Sequence, residues 1–273
     1  MTIKAFIGGL SAAFVLSTGS AQSAPVSLEL MLLTDTSGSV SSTDYNLIRN
    51  GYAAAFEDNE VQQKILNSST GSIAVAVSFF DSFYRGLGTA WTLIDSVASA
   101  NAYAQTLRNM NRLGSGSTGL AAGITGAAAS FAANDFESTR QVIDVTGDGN
   151  ENVQCGQNET DCAAVQNARD AALAGETDVI NALFVNDPPF FGDTGSENVD
   201  SILYGETNVI GGPGSFVVAA SGFDDFERAI RAKIIREVAP PPNTVPVPAG
   251  LPLILTGVLG FAALKRRRSN KAA

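Results

Sequence analysis

The sequence contains no histidine, only two cysteines and one tryptophan among its 273 residues. The absence of histidine excludes serine–histidine and cysteine–histidine catalysis, histidine-ligated zinc and the most common general base. Two cysteines alone do not complete a zinc tetrahedron. We therefore predict that the protein is not an enzyme.

Basic residues are also scarce, with 17 Lys and Arg against 27 Asp and Glu, a formal net charge of −10. Six of the basic residues and none of the acidic ones lie in the two terminal segments described next, so the domain between them carries a formal charge of −16. Such a surface repels nucleic acid and anionic lipid and attracts divalent cations. Nucleic acid is therefore not a predicted partner.

The N-terminal segment, residues 1–21, has one lysine, then an apolar run, then small residues that end at Ala21. This order predicts a secretory signal peptide. The C-terminus has a proline-rich linker (240–250), an uncharged apolar run (251–264) and a basic tail (265–273). The run is shorter than the roughly 20 residues that span a bilayer, so it predicts a marginal transmembrane helix. The basic tail predicts a cytoplasmic end and a periplasmic domain.

The linker carries a motif that precedes the hydrophobic helix and the arginine-rich tail. This order resembles the VPLPA-CTERM sorting signals of Gram-negative bacteria, which are related to the PEP-CTERM type. The resemblance implies processing by an exosortase-like membrane protease, followed by display at the cell surface or release. A plain single-pass tail anchor is the alternative. The motif residues are Val245, Pro246, Val247, Pro248 and Ala249, with valine where the family pattern has leucine.

The two cysteines, Cys155 and Cys162, lie in a short polar segment. Export to an oxidising compartment favours a disulfide that closes this small loop. Two free thiols and half of a metal site remain alternatives.

Buried strands alternate with helical patterns through residues 25–239. Nearly continuous apolar runs at 27–35, 71–81 and 177–187 are typical of strands buried on both faces. These runs are followed by segments whose apolar residues have helical spacing or that are rich in small residues. The first such segment begins with serines that suit a helix N-cap. We therefore predict an α/β fold, a doubly wound and mostly parallel sheet with helices on both faces.

A set of oxygen-bearing side chains is predicted at one edge of this sheet. Asp35, Ser37 and Ser39 follow the first strand, Asp148 follows a later strand, and Thr118 lies in a glycine-rich loop before a helix. Ligands of doubly wound sheets bind beyond the carboxyl ends of the strands. Carboxylates and neutral oxygens are ligands that Mg²⁺ prefers. The set therefore predicts a Mg²⁺ site, with Mn²⁺ and Ca²⁺ left open.

At these residues the chain resembles the von Willebrand factor type A (vWA) domain. The metal-ion-dependent adhesion site (MIDAS) of that family has the pattern Asp-x-Ser-x-Ser, then Thr, then Asp. The resemblance implies that Ser37, Ser39 and Thr118 contact the metal directly, that Asp35 and Asp148 act directly or through water, and that an acidic group of a partner completes the coordination. Other stretches, among them "VIDVTGDGNEN" and "FERAIRAKIIREV", resemble a bacterial subgroup known as DUF1194.

Some alternatives stay open at this point. Ser115 or Ser117 could replace Thr118, and Ser37 and Ser39 could instead be ordinary helix caps. The sequence predicts an exported adhesion or interaction module that binds a protein or another carboxylate-bearing ligand through Mg²⁺. The alternatives are a surface-matrix protein in which the metal is only structural and, less favoured, a metal-dependent hydrolase.

Overall fold

The computed structural model describes residues 23–156, 159–185, 201–222 and 225–239. The predicted signal peptide, linker with its sorting motif, hydrophobic helix and basic tail lie outside these residues, and they remain predictions. Within the described ranges, no helix is both long enough and apolar enough to cross a membrane.

The main sheet has seven strands in the order β4-β3-β2-β7-β8-β9, with β5 also paired to β3. Neighbouring strands from β3 through β2, β7 and β8 to β9 are parallel, whereas β4 and β5 are antiparallel to β3. A separate parallel pair joins β1 to β6. The strands are β1 (Ala24–Val26), β2 (Glu29–Asp35), β3 (Ile73–Phe80), β4 (Tyr84–Leu87), β5 (Thr92–Ile94), β6 (Phe136–Ser138), β7 (Gln141–Gly147), β8 (Val179–Val185) and β9 (Val217–Ala220).

Helices cover both faces of the sheet, which confirms the predicted fold class. One core lies between the sheet and α1, α3 and α7, and the other lies between the sheet and α4 and α5. A four-residue α-helix, α6, continues into a π-helical turn at Gly205–Val209. The helices are α1 (Ser42–Glu57), α2 (Asn59–Leu66), α3 (Val97–Arg108), α4 (Leu120–Ala129), α5 (Ala163–Ala174), α6 (Ser201–Tyr204) and α7 (Phe226–Val238).

The strand order places the carboxyl ends of β2, β3 and β7 together. β2 is first in the main sheet by sequence, and it lies between β3 on one side and β7 on the other. The chain therefore leaves β2 in one direction and returns to its other side later, which is the strand-order reversal where ligand sites form. All seven residues of β2 are buried.

Several short elements were not expected from the sequence. Strands β1, β4, β6 and β9 have three or four residues each, too few to show a period. The chain between β8 and β9 also includes α6 and its π-helical turn. β4 and β9 lie at the margins of the main sheet, β1 and β6 form the separate pair, and none of them changes the predicted edge of the site.

Candidate metal centre

Asp35 is the last residue of β2, and its side chain is completely buried. The backbone N–H of Ser37 donates to Asp35 Oδ1 at 2.7 Å, whereas Asp35 Oδ2 has no hydrogen-bond partner. Burial, and then the neighbouring charge of Asp148, raise the pKa of Asp35 to about 8. An acceptor oxygen buried without a donor is costly. A cation at this oxygen would remove that cost.

The other four predicted residues form one hydrogen-bonded chain next to Asp35. Thr118 Oγ1 lies 3.2 Å from Ser37 Oγ, and Ser37 Oγ lies 3.0 Å from Ser39 Oγ. Ser39 Oγ donates to Asp148 Oδ1 at 2.8 Å. Burial raises the pKa of Asp148 as well, although the Ser39 hydroxyl opposes the shift. The structure thus brings together all five residues from three separate segments of the chain.

The structure places the candidate serines and the threonine in different surroundings. Thr118 is buried and touches Ser37, whereas Ser115 and Ser117 are exposed and give their backbone N–H groups to Asp81 Oδ2 and Ser82 Oγ. The N-cap of α1 is Ser41, whose side chain forms a capping box with Asp44. Helix capping therefore does not account for Ser37 and Ser39.

Arg112 supports the loop after β2 and was not predicted as a site residue. Its guanidinium donates to the carbonyl oxygens of Thr36, Ser37 and Val40 at 2.9, 2.7 and 2.6 Å. Thr36 Oγ1 adds a further hydrogen bond to this loop, donating to the carbonyl of Leu113 at 2.6 Å. These contacts fix the turn that aims both serine hydroxyls at one point. They join residues more than 70 positions apart, so no local sequence signal could have shown them.

Asp81 organises the glycine-rich loop that carries Thr118. It follows β3, is fully buried, and accepts hydrogen bonds from the backbone N–H groups of Ser115 and Gly116 at 3.0 and 2.9 Å. Arg85 pairs with both of its oxygens at 2.6 Å. Burial opposes ionisation, but the guanidinium and the backbone N–H groups prevail and hold the pKa of Asp81 at about 2. Asp81 is thus a charged support without a free oxygen.

Glu151 and Asn152 form a further unpredicted contact with the Thr118 segment. Asn152 Oδ1 accepts the N–H of Thr118 at 2.8 Å, and the N–H of Asn152 donates to the carbonyl of Thr118 at 2.9 Å. Glu151 Oε2 accepts the N–H of Ala121, in the first turn of α4, at 2.9 Å. The polar run "GDGNEN" carries no apolar period that could have indicated these roles.

A disulfide joins Cys155 to Cys162, with a Cα–Cα distance of 5.8 Å. The two thiols are therefore neither free nor part of a metal site. The N–H of Cys162 donates to Asn208 Oδ1 at 2.8 Å, which ties the loop to the π-helical turn after α6. The disulfide is consistent with an oxidising, extracytoplasmic compartment.

The donor set suits a hard cation. It contains two carboxylates and three hydroxyls, all of them oxygen donors, and one carboxylate oxygen is buried without a partner. The described residues include no cluster of three or more carboxylates and thiols that could hold a metal ion, either at this site or elsewhere. A centre with only two carboxylates fits Mg²⁺, which usually takes one or two and completes its shell with neutral oxygens.

The fold and this edge define an α/β protein with a buried, oxygen-lined centre where the strand order reverses. The chain belongs to the family described as "Protein of unknown function (DUF1194)", whose model matches residues 25–242. No curated protein matches the sequence.

Solved structures share the fold. The pilus adhesin SpaC from Lactobacillus rhamnosus GG has 15% identity and a TM-score of 0.54, over 81% of this chain and 31% of that one. Proximal thread matrix protein 1 from the mussel byssus has 13% identity and a TM-score of 0.51, over 78% of this chain and 48% of that one. A von Willebrand factor type A protein from Catenulispora acidiphila has 14% identity and a TM-score of 0.48, over 78% of this chain and 43% of that one. This chain therefore spans less than half the length of each.

Proposed function

We propose that this protein is an exported interaction module that binds a carboxylate-bearing protein ligand through a divalent cation, Mg²⁺ in the first instance. The observation that carries the proposal is that three loops meet beside one buried, unpaired carboxylate oxygen of Asp35. Asp35 presents an oxygen without a partner, and a continuous chain of side-chain oxygens leads from Thr118 to Asp148 beside it.

Each residue has a distinct part in this proposal. The hydroxyls of Ser37, Ser39 and Thr118 are neutral ligands, and Asp35 and Asp148 supply two negative charges. A bound Mg²⁺ would supply a Lewis-acidic position for an external carboxylate. Because the described residues offer no third carboxylate at this centre, a bound Mg²⁺ could still attract a carboxylate of the partner. Ser39 is only half-buried, and Gly38 beside it is exposed, so this point of the edge is open to an incoming group.

The surroundings favour a protein partner. Phe83, Leu113 and Val153 are exposed large apolar residues, and each lies on a loop that supports the centre. Phe83 follows Asp81, Leu113 accepts the Thr36 hydroxyl, and Val153 follows Asn152. Aromatic and aliphatic contacts of this kind anchor protein interfaces. In this proposal they contact the residues that flank the partner's carboxylate.

The two structures with the higher TM-scores are an adhesin and a matrix protein by name, and both roles suit this proposal. A second candidate function follows from the matrix protein. In that case the chain is a structural component of the cell surface, and its metal only stabilises the fold. The predicted sorting signal is compatible with either function.

Calorimetric titration with MgCl₂, combined with thermal denaturation, tests the centre. We expect Mg²⁺ to raise the melting temperature of the wild type, since a ligand at 100 times its Kd adds about 2.7 kcal/mol. Ser39→Ala should reduce both the heat and the thermal shift, because Ser39 links Ser37 to Asp148. Ser27→Ala is the matched control, since Ser27 bonds Ser68 and Ser72 away from the centre. Equal responses in wild type and Ser39→Ala would exclude the proposed site.

Partner capture separates the two candidate functions. The purified protein would be used as bait for envelope proteins in MgCl₂ and again in EDTA, with circular dichroism to confirm that the bait stays folded. If the cation binds the ligand, captured proteins should be released by EDTA and absent with Ser39→Ala. Capture that persists in EDTA on a folded bait would favour the structural role.

A further inference from the structure

The structure assigns a function to Asn152 that the family pattern does not include: it is the positioning residue that sets Thr118 for cation binding. This inference rests on the proposed metal centre. Asn152 itself is not offered as a ligand, since its side-chain oxygen accepts the backbone N–H of Thr118.

The contact between the two residues is reciprocal. The side chain of Asn152 accepts the N–H of Thr118, and the backbone N–H of Asn152 donates to the carbonyl of the same residue. Both polar groups of the Thr118 backbone are therefore held by a single residue 34 positions away. With both groups fixed, the orientations of the two peptide groups that flank the Thr118 Cα, and with them the direction of its side chain, are restricted. The hydroxyl is then held 3.2 Å from Ser37 Oγ.

Glu151 anchors Asn152 on its other side. Its buried carboxylate accepts backbone N–H groups from Val153 and Gln154 through Oε1, at 3.0 and 3.1 Å, and from Ala121 through Oε2. The first two bonds make a tight turn around Asn152, and the third joins this turn to the start of α4. Because Thr118 lies three residues before Ala121, the turn and the helix start move as one unit.

The other supports of this loop do not perform the same task. Asp81 and Ser82 hold the backbone N–H groups of residues 115–117, and the carbonyl of Asp81 accepts the N–H of Gly119. These hydrogen bonds fix the loop on each side of Thr118 and do not involve the polar groups of Thr118 itself. Loss of the Asn152 side chain should therefore leave the loop in place while the Thr118 peptide gains freedom.

The test compares Mg²⁺ affinity, by calorimetry, among wild type, Asn152→Ala, Asn152→Asp and Asn134→Ala. We expect Asn152→Ala to weaken binding by roughly 10- to 100-fold, the usual loss when a residue that orients a metal ligand is removed. Asn152→Asp keeps the acceptor oxygen and should restore affinity to within about threefold of wild type. Asn134→Ala is the matched control, because Asn134 Oδ1 accepts the N–H of Phe136 in a similar turn away from the centre. It should lower the melting temperature only.

A second comparison separates positioning from general loss of stability. In the Thr118→Ala background, Asn152→Ala should cause no further loss of affinity, because the residue acts through Thr118. Amide hydrogen exchange of residue 118, measured without metal, should be faster in Asn152→Ala than in wild type, even if that variant is too unstable for calorimetry.

The outcomes distinguish the two proposals. Unchanged affinity in Asn152→Ala, additive losses in the double variant, or unchanged exchange at Thr118 would overturn this inference while leaving the metal centre intact. If wild type itself does not bind Mg²⁺, the metal centre fails and the role of Asn152 fails with it.

Discussion

Asp35 is a residue whose replacement should stabilise the metal-free protein. Burial, and then the charge of Asp148, raise its pKa to about 8, far above the ordinary range of an aspartate. Because the folded pKa is the higher one, the stabilising contribution of protonated Asp35 is complete below pH 4 and is lost as the pH rises through about 8. Asn has nearly the same shape and cannot ionise. We therefore expect Asp35→Asn to raise the melting temperature of the metal-free protein at pH 8. Each kcal/mol gained in the free energy of unfolding should raise it by about 2–4 °C.

Thermal denaturation in EDTA at pH 5 and pH 8 measures this effect. The gain from Asp35→Asn should be larger at pH 8 than at pH 5, and the variant should lose its response to Mg²⁺. Asp135→Asn serves as the control, because Asp135 is exposed, and it should behave as wild type at both values. A lower melting temperature for Asp35→Asn at pH 8 would instead show that the Asp35 carboxylate is a structural group.

Among single residues, those with a strong local pattern could be predicted and those that act across loops could not. Asp35, Ser37 and Ser39 follow a continuous apolar strand, so their place at the sheet edge was predictable. Arg112 and Asn152 lie in polar stretches that have many equivalent residues. Their roles depend on hydrogen bonds to segments that are distant in sequence, and no composition or period encodes such a pairing.

At the scale of elements, α4 approaches β3 and β4 closely because it contains glycines on its inner side. A Cβ at Gly126 would lie 2.1 Å from Tyr84 Cγ, and one at Gly123 would lie 2.8 Å from Phe80 Cγ. We expect Gly126→Ala to destabilise the protein by about 1–2 kcal/mol, because an overpacking cost of up to about 3 kcal/mol exceeds the roughly 1 kcal/mol that alanine gains in a helix. Chemical denaturation measures the difference.

A double variant identifies the clash as the cause. In a Tyr84→Ala background the ring is absent, and Gly126→Ala should then be neutral or stabilising. Gly222→Ala is a control at a glycine with open space around it, and it should be neutral. If Gly126→Ala proved neutral in the wild-type background, the close approach of α4 to β4 would be wrong.

The same elements show what a sequence can predict at this scale. The small residues of α4 indicated a helix, which is confirmed, but they did not indicate which strand it approaches. The long strands β2, β3 and β8 were predictable because their seven or eight buried residues make a clear apolar run. The short strands β1, β4, β6 and β9 were not predictable, because strands of three or four residues are stabilised by neighbouring segments rather than by their own sequence pattern.

At the scale of the whole molecule, a buried ionic cluster holds α7 against the middle of the sheet. Lys233 of α7 pairs with Asp144 of β7 and with Glu237, and all three side chains are fully buried. Asn181 of β8 donates to Glu237 and accepts the N–H of Phe216. Burial, and then Glu237, raise the pKa of Asp144 far above its ordinary range. The cluster joins α7, β7, β8 and the segment before β9.

The disulfide should matter both for stability and for the metal centre. It joins cysteines seven positions apart, and closing so short a loop stabilises the folded state by about 2.5 kcal/mol in the chain-entropy model. Reduction with dithiothreitol should therefore lower the melting temperature by about 5–10 °C. Because Cys155 lies directly after the turn that Glu151 holds, reduction should also weaken Mg²⁺ binding.

These two effects of reduction can be separated because one acts on the unfolded chain and the other on the folded structure. Loss of loop closure acts on the unfolded chain, whereas weaker Mg²⁺ binding requires that the 151–154 turn loosens in the folded one. A Cys155→Ser/Cys162→Ser variant should have a lower melting temperature and a lower Mg²⁺ affinity, and it should not respond to dithiothreitol. In an Asn152→Ala background, reduction should lower the melting temperature alone. If reduction lowered the melting temperature but left Mg²⁺ affinity unchanged in wild type, Glu151 alone would suffice to hold the turn. The disulfide would then serve only the stability of the domain.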